Sequence, residues 1–181
     1  MNIVENFEDI PGLWYIENYL SEIESEEFKN YIANHVNLEP ISTNQYSRRV
    51  AHYGYYYTYN HTGLKPAPPI PDWLKDLLDP NILLLKNIHM NQIIINEYKP
   101  GQQIAYHTDH IGLFGPVIAC ITVGESIPIK FKKDVVKTLN IKSGSMYIMT
   151  NDSRYKWQHS LKNNSLQTRY SITYRSVSSE I

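Results

Sequence analysis

Residues 96–109 read NEYKPGQQIAYHTD and place His107 and Asp109 two positions apart, shortly after a Pro100-Gly101 turn. In an extended chain, residues i and i+2 point to the same face, so this imidazole and carboxylate can converge on one point. One imidazole and one carboxylate are two thirds of the 2-His-1-carboxylate triad that binds non-haem Fe(II). An H-x-D triplet is common by chance, so a metal site requires a second histidine and residues for a co-substrate.

His159 is the best candidate for the third ligand. It lies fifty residues after Asp109, in the strand-like stretch 157–160, and ligands on separate strands suit the mouth of a barrel. A lone histidine at such a position is more often structural, which is the alternative. His110 is a poor candidate, because it is adjacent to Asp109 and therefore points to the opposite face.

The final predicted strand alternates strictly between polar and apolar residues. Residues 169–175 read RYSITYR, with polar side chains at the odd positions and Tyr or Ile at the even ones. If the polar face points inward, it lines a cavity with two guanidinium groups that need anions, and a dicarboxylate supplies them through forked hydrogen bonds. The simpler alternative leaves the polar face in solvent. Asn96 and Tyr98 also share a face, and they offer an amide and a phenol to the same cavity.

The composition indicates a globular protein of one domain. The chain has 181 residues, of which 42% are hydrophobic, and no apolar run of about 18 residues that would cross a membrane. Cys120 is the only cysteine, which excludes an intrachain disulfide and a cysteine-based zinc site. The net charge of −1 gives no overall attraction to nucleic acid, so binding would need a local basic patch. The acidic N-terminus lacks a signal-peptide pattern. We therefore expect an intracellular protein, cytoplasmic or nuclear, and we expect a monomer.

Two helices are predicted before a series of short strands. Ser21 and Glu24 form a capping-box pattern that predicts a helix to about Val36, and a second, short helix is predicted over residues 72–78. Short strands separated by turns are predicted at 90–99, 117–123, 128–131, 145–150, 157–161 and 169–176. This pattern predicts a mainly β fold with flanking helices (α+β), arranged as a sandwich or jelly roll.

Residues 48–59 read RRVAHYGYYYTY, which predicts one or two strands rich in tyrosine. Two arginines and interleaved aromatic residues can contact a phosphate backbone and stack a base. The candidates for substrate binding are Arg48, Arg49, His52, Tyr53, Tyr55 and Tyr57, and the three tyrosines share a face if the stretch is one strand. The alternative is a half-buried tyrosine-rich strand with a solvated arginine pair. Lys130, Lys132, Lys133 and Lys137 are candidates for backbone contacts or, equally, form a solvated basic edge.

Taken together, these motifs resemble the AlkB family of Fe(II)- and 2-oxoglutarate-dependent dioxygenases. The resemblance rests on N-x-Y-x-P-G at 96–101, H-x-D at 107–109, the later histidine, and R-x-x-x-T-x-R at 169–175. The segments RVAHYG at 49–54 and LFGP at 113–116 add to it. The similarity extends over about residues 45–176, and the order and spacing of the motifs make it specific.

The resemblance implies a double-stranded β-helix (jelly roll, cupin-like) with bound Fe(II), and 2-oxoglutarate and O₂ as co-substrates. The implied iron ligands are His107, Asp109 and His159. The implied 2-oxoglutarate site consists of Asn96, Tyr98, Arg169, Ser171, Thr173 and Arg175. Within it, Arg169 and Tyr98 would bind the distal carboxylate, and Arg175 and Asn96 would lie near the iron-chelating end. Ser171 departs from the family, in which asparagine is frequent at this position.

The resemblance also implies the function and the division of the chain. We expect residues 1–181 to form one domain, with an N-terminal helical support (1–45), a substrate-recognition lid (46–70) and a jelly-roll core (88–178). The implied reaction is oxidative demethylation of alkylated bases in DNA or RNA, with release of succinate, CO₂ and formaldehyde. A target base in nucleic acid would be single-stranded or flipped. One alternative is hydroxylation of a tRNA wobble modification or a protein side chain, and another is a non-enzymatic β-sandwich binding module.

Overall fold

The strands form two facing antiparallel sheets and a separate two-stranded ribbon. The computed structural model describes residues 2–57 and 63–177. With strands numbered in chain order, the major sheet has the order β1 (Ile3–Glu5), β2 (Leu13–Ile16), β12 (Met146–Met149), β9 (Phe114–Gly124), β14 (Arg169–Val177), β7 (Gln92–Tyr98), β4 (Arg49–Tyr53) and β3 (Glu39–Pro40). The minor sheet has the order β11 (Val136–Leu139), β10 (Ile129–Lys132), β13 (Gln158–Lys162) and β8 (Gln103–His107). The ribbon pairs β5 (Tyr55–Tyr57) with β6 (Leu64–Pro66). This mainly β architecture confirms the predicted jelly roll.

Two hydrophobic cores lie on opposite sides of the major sheet. The outer core packs helices α1 (Glu22–His35) and α2 (Asp72–Asp76) against the sheet, with Ile32, Leu74 and Ile172 fully buried. The inner core fills the space between the sheets, where Ile118 of β9 and Phe131 of β10 have no exposed surface. A third short helix, α3 (Asn151–Tyr155), connects β12 to β13. No helix in the described ranges is long and apolar enough to cross a membrane.

The alternation of β14 places its polar face inside the protein. Tyr170, Ile172 and Tyr174 pack in the outer core, whereas the odd-numbered polar residues of the strand face the space between the sheets, where they line one cavity. The alternative in which this polar face is solvated is therefore wrong. Because β7 pairs with β14 in register, Asn96 and Tyr98 face the same interior space.

The first 45 residues contribute strands as well as the predicted helix. Helix α1 begins with the expected capping box: Ser21 Oγ accepts from the Glu24 backbone N–H at 3.2 Å, and Glu24 Oε2 accepts from the Ser21 backbone N–H at 2.8 Å. In addition, β1 and β2 extend one edge of the major sheet and β3 the other. These strands are part of the sheet itself, so residues 1–45 join the major sheet at both of its edges.

The tyrosine-rich stretch is broken at Gly54. This residue adopts a left-handed conformation with φ of 79°, so the chain turns between β4 and β5, and the two strands belong to different sheets. Of the two interpretations, one strand or two, the structure has two, so Tyr53, Tyr55 and Tyr57 do not share one strand face. The tip of the predicted lid, residues 58–62, lies outside the described residues.

We predict that Gly54→Ala destabilises the protein more than Gly101→Ala does. Both glycines have positive φ, 79° and 85°, which costs an L-residue about 1–2 kcal/mol. A Cβ at position 54 would also overlap the backbone carbonyl oxygen of Asn91, whereas a Cβ at position 101 would meet open space. Urea unfolding should show a loss of about 1 kcal/mol for Gly101→Ala and at least about 3 kcal/mol for Gly54→Ala. Equal losses would contradict the close approach at Gly54.

Candidate functional site

Three predicted ligands converge at one end of the minor sheet. His107 ends β8, and Asp109 follows two residues later. His159 lies on the neighbouring strand β13, directly opposite His107. Asp109 Oδ1 lies 3.7 Å from His107 Nε2 and 3.5 Å from His159 Nε2, and one ligand atom from each of the three residues lies within 4.8 Å of the others. The alternative of a binding module in which these side chains do not meet is therefore wrong.

Local interactions prepare these side chains for a cation. His107 Nδ1 lies 2.8 Å from the Ala105 carbonyl oxygen, so Nδ1–H donates to that oxygen and the Nε2 lone pair is free. Burial lowers the pKa of His107, and burial is also the main cause that lowers the pKa of His159 to about 3. Both imidazoles are therefore neutral at pH 7, as metal ligands must be.

Asp109 carries the negative charge of the cluster. Burial alone raises the pKa of Asp109, but the nearby charge of Arg175 outweighs it and keeps the pKa below its usual range. Arg175 Nη2 lies 2.5 Å from Asp109 Oδ2, although the N–H bonds are not aligned on that oxygen. Two neutral imidazoles and one ionised carboxylate suit non-haem Fe(II), so these residues fit the expected metal.

The other end of the cavity holds a buried cation without an anionic partner. Arg169 is 2% exposed, and its Nη2 donates to Thr122 Oγ1 at 3.0 Å. Its Nε is buried without a hydrogen-bond acceptor, and no carboxylate of the described residues forms an ion pair with it. The guanidinium also lies 5.7 Å from the centre of the Tyr98 ring. A buried guanidinium in this state favours an anionic ligand, because a lone charge in a protein interior is costly.

A hydrogen-bonded wall connects the two ends of this cavity, whose volume is about 270 Å³. Arg48 Nε donates to Asn96 Oδ1 at 2.7 Å, and Asn96 Nδ2 donates to Ser171 Oγ at 3.3 Å. Ser171 therefore supplies a hydroxyl at the position where the family often has asparagine. All six predicted 2-oxoglutarate residues line this cavity together with the histidine–aspartate cluster: Asn96, Tyr98, Arg169, Ser171, Thr173 and Arg175.

Only two of the six predicted substrate residues line the cavity. Arg48 and Tyr57 do so. Arg49 points to the opposite face of β4, where its Nε lies 2.6 Å from Glu97 Oε1. Tyr53 shares that face and packs against the outer core. The alternation of β4 accounts for both corrections, because residues 49, 51 and 53 face away from the minor sheet.

The remaining two predicted substrate residues lie beside the cavity. Burial lowers the pKa of His52 to about 4, and its ring lies 5.5 Å from that of Tyr56, centre to centre. Tyr55 lies in the ribbon, and its carbonyl oxygen accepts a hydrogen bond from Gln92 Nε2 at 3.3 Å. Neither residue lines the cavity, so of the six predicted substrate residues the structure brings only Arg48 and Tyr57 to it.

Sequence reasoning missed Arg154, which holds the chain that follows Asp109. Its buried guanidinium donates to four backbone carbonyl oxygens: Asp109 at 2.8 Å, His110 at 3.3 Å, Phe114 at 3.1 Å and Gly115 at 3.1 Å. Backbone acceptors carry no residue identity, so no sequence pattern marks this interaction. Sequence reasoning also missed Thr122, which accepts a hydrogen bond from Arg169. Its position could have been predicted from the alternation of β9, because Thr122 shares the inward face of that strand with Ile118 and Cys120.

We predict that His159→Ala abolishes tight metal binding and that His110→Ala does not. His159 belongs to the ligand cluster, whereas His110, although close in sequence, is outside it. Anaerobic calorimetric titration with Mn(II), a redox-inert substitute for Fe(II), should show affinity at least about a hundredfold lower for His159→Ala, since even outer partners of ligands contribute 10–100-fold. Tight binding by His159→Ala would contradict the assignment of the cluster.

Comparison with known proteins places this fold and site in a family. The 2OG-Fe(II) oxygenase superfamily profile matches residues 12–175. The chain is 30% identical over 164 residues to tRNA (carboxymethyluridine(34)-5-O)-methyltransferase ALKBH8 of Macaca fascicularis, a match that covers 83% of this chain and 24% of that protein. It is 30% identical over 127 residues to the Probable RNA/DNA demethylase ALKBH6 of Danio rerio, which covers 69% of this chain and 52% of that protein.

The solved structure of OsALKBH1 has the same fold, with a TM-score of 0.72 at 12% identity over 92% of this chain and 97% of that chain. The chain spans only about a quarter of the ALKBH8 relative and about half of the ALKBH6 relative. The profile match covers most of the chain. The chain therefore belongs to the 2OG-Fe(II) oxygenase superfamily, as an AlkB-like dioxygenase domain whose cofactors are Fe(II), 2-oxoglutarate and O₂.

Proposed function

We propose that this domain oxidises an N-methyl group on a base of single-stranded or flipped nucleic acid and so restores the unmodified base. The observation that carries the proposal is an aromatic cavity mouth beside the predicted metal cluster. The Tyr57 ring lies 5.5 Å from Phe114 and 6.4 Å from His110, centre to centre, and all three residues line the cavity. Aromatic side chains of this kind stack a base that has left its helix.

His107, Asp109 and His159 would hold Fe(II) through Nε2, Oδ1 and Nε2. When bound, the iron supplies the activation of O₂ that couples decarboxylation of 2-oxoglutarate to oxidation of a substrate C–H bond. Arg175 neutralises the buried Asp109 at 2.5 Å, so the carboxylate remains ionised and available as a ligand. Arg154 restrains the backbone on the C-terminal side of Asp109, which keeps the ligand in place.

Arg169 would bind the distal carboxylate of 2-oxoglutarate at the closed end of the cavity. Its hydrogen bond to Thr122 fixes the direction of the guanidinium, while Nε has no acceptor among the described residues. Asn96, held by Arg48 and Ser171, and Arg175 lie nearer the metal cluster, where they would orient the other end of the co-substrate. This order of groups would place the keto acid between the metal and Arg169.

The methyl carbon gains one oxygen atom from O₂, and the other oxygen atom enters succinate as 2-oxoglutarate loses CO₂. A hydroxymethyl group on nitrogen then breaks its C–N bond, so that the base recovers N–H and formaldehyde leaves. If the hydroxylated carbon is bonded to carbon and not to nitrogen, the hydroxyl group stays in the product.

A second candidate function is hydroxylation of a modified uridine in tRNA. It is favoured by the ALKBH8 relative, whose name specifies carboxymethyluridine 34 of tRNA. The same cavity would bind the uridine, and the oxidised carbon would retain its hydroxyl group. The two candidates therefore differ in whether formaldehyde is released.

We predict that purified protein with Fe(II), ascorbate and 2-oxoglutarate forms succinate when methylated oligonucleotides are supplied. Succinate and formaldehyde should be measured separately with N-methylated single-stranded DNA, N-methylated RNA and total tRNA. Equal amounts of both products with one oligonucleotide, absent in His107→Ala, would establish demethylation and the type of nucleic acid.

Succinate with tRNA but without formaldehyde, together with a uridine heavier by one oxygen atom, would establish the second candidate instead. Succinate formation that no nucleic acid stimulates would contradict both candidates. The His107→Ala variant controls for contaminating oxygenases, because it removes one predicted ligand and leaves the cavity mouth unchanged.

A further inference from the structure

The charges of the chain are segregated along the sequence, although the net charge is only −1. Residues 1–45 contain nine acidic residues and one basic residue, whereas residues 46–181 contain nine acidic and sixteen basic residues. The two segments therefore carry formal charges of −8 and +7. A near-neutral total does not exclude a basic surface when the charges are separated in this way.

Four of these glutamates and four of these lysines lie on opposite sides of the major sheet. Helix α1, which contains Glu22, Glu24, Glu26 and Glu27, packs in the outer core. The minor sheet lies on the other side, and its four strands contain four lysines and no aspartate or glutamate. The lysine-bearing sheet is also the one that carries His107 and His159.

A groove of about 740 Å³ runs over the exposed face of the minor sheet. It is lined by two exposed lysines and by hydroxyl groups, and no acidic residue borders it. The charged and hydroxyl-bearing residues are Lys130, Lys162, Ser126, Thr138, Ser160 and Ser165. Thr138 and Ser160 are the direct cross-strand neighbours of Lys130, so a cation is flanked by hydrogen-bond donors on the same face.

The groove adjoins the cavity that contains the metal cluster. Tyr106 lines both of them, and the ammonium group of Lys132 lies 5.4 Å from the centre of the Tyr106 ring. Lys130 is two residues from Lys132 on the same strand face, a spacing of roughly 7 Å. Positive charge thus continues from the rim of the cavity into the groove.

These lysines are not part of surface ion pairs. Lys75, Lys142 and Lys156 each have a carboxylate partner, but no carboxylate in the described ranges forms an ion pair with Lys130, Lys132 or Lys162. A role in protecting a sheet edge does not explain Lys130 and Lys132 either, because β10 lies between β11 and β13. The sequence candidate Lys137 differs, since its Nζ donates to the Glu8 carbonyl oxygen and so lies away from the groove.

We propose that this groove binds the phosphate backbone of a single-stranded nucleic acid whose target base occupies the cavity. The lysines neutralise phosphates and release counterions, and the neighbouring hydroxyl groups donate hydrogen bonds to phosphate oxygens. Tyr106, at the junction, offers a ring on which an adjacent base stacks. The proposal rests on the proposed function, in that it assigns a second contact surface to the same nucleic acid substrate.

The test is equilibrium binding of fluorescent single-stranded DNA and RNA, of about 12 nucleotides, to the full chain in the absence of 2-oxoglutarate. The double variant Lys130→Glu/Lys162→Glu is compared with Lys75→Glu/Lys86→Glu, which changes the net charge equally but lies on the side of the outer core. The Lys130→Glu/Lys162→Glu variant, called the groove variant, should bind at least about tenfold more weakly than the wild type. The slope of its log binding constant against log salt concentration should be smaller in magnitude by about 1.4. The control should stay within about twofold of the wild type, and thermal melting checks that both variants fold. A loss with RNA only, or DNA only, would identify the backbone that the groove prefers.

Equal affinities of the groove and control variants for both oligonucleotides would overturn the proposal, and so would a wild type that binds neither. The proposed function can fail separately. A wild type that binds through the groove but forms no oxidised product from any methylated oligonucleotide or tRNA would overturn the reaction and leave the groove. If the wild type forms the oxidised product and the groove variant binds the oligonucleotides as tightly as the wild type does, the groove proposal is overturned and the proposed reaction stands.

Discussion

The buried guanidinium of Arg169 is the constraint on which the site depends. A charge that is 2% exposed and has no anionic partner among the described residues destabilises a fold unless a ligand neutralises it. Thr122 satisfies one of its donors, and the strict alternation of β14 keeps it from turning to solvent. The same strand carries Arg175, which is neutralised by Asp109. The end of the cavity with Arg175 and Asp109 therefore has balanced charges. The end with Arg169 carries a positive charge that favours an anionic ligand.

The predicted cofactor residues and the aromatic mouth lie on different elements. The candidate metal cluster and the predicted 2-oxoglutarate residues lie on β7, β8, β13 and β14 or directly after them, where each strand has paired neighbours. The aromatic mouth depends instead on the β5–β6 ribbon and on the segment after Asp109, which Arg154 holds through backbone carbonyl groups. In our proposal, the metal and the co-substrate bind to the paired strands, and the nucleic acid binds at the mouth and on the surface beside it.

Side-chain periodicity made much of the site predictable from sequence. The H-x-D spacing and the odd-numbered polar residues of β14 indicated which side chains converge, and the structure gives them one cavity. Whether the polar face of β14 points inward could not be predicted, because periodicity fixes the grouping of residues and not the side of the sheet. The contacts of Arg154 were missed, since they depend on backbone acceptors distant in sequence. The sequence also left open whether the chain breaks at Gly54, since that depends on the conformation of one glycine.

The most direct test of this account is calorimetric titration of 2-oxoglutarate into the Mn(II)-loaded protein under anaerobic conditions, with Arg169→Met as the variant. The account predicts at least about thirtyfold weaker 2-oxoglutarate binding, because a buried charge pair contributes 2–5 kcal/mol, with Mn(II) affinity unchanged. It also predicts that the variant without 2-oxoglutarate is as stable as the wild type or more so, since an unpaired buried charge is removed. Unchanged 2-oxoglutarate affinity in a folded variant would contradict the central role of Arg169.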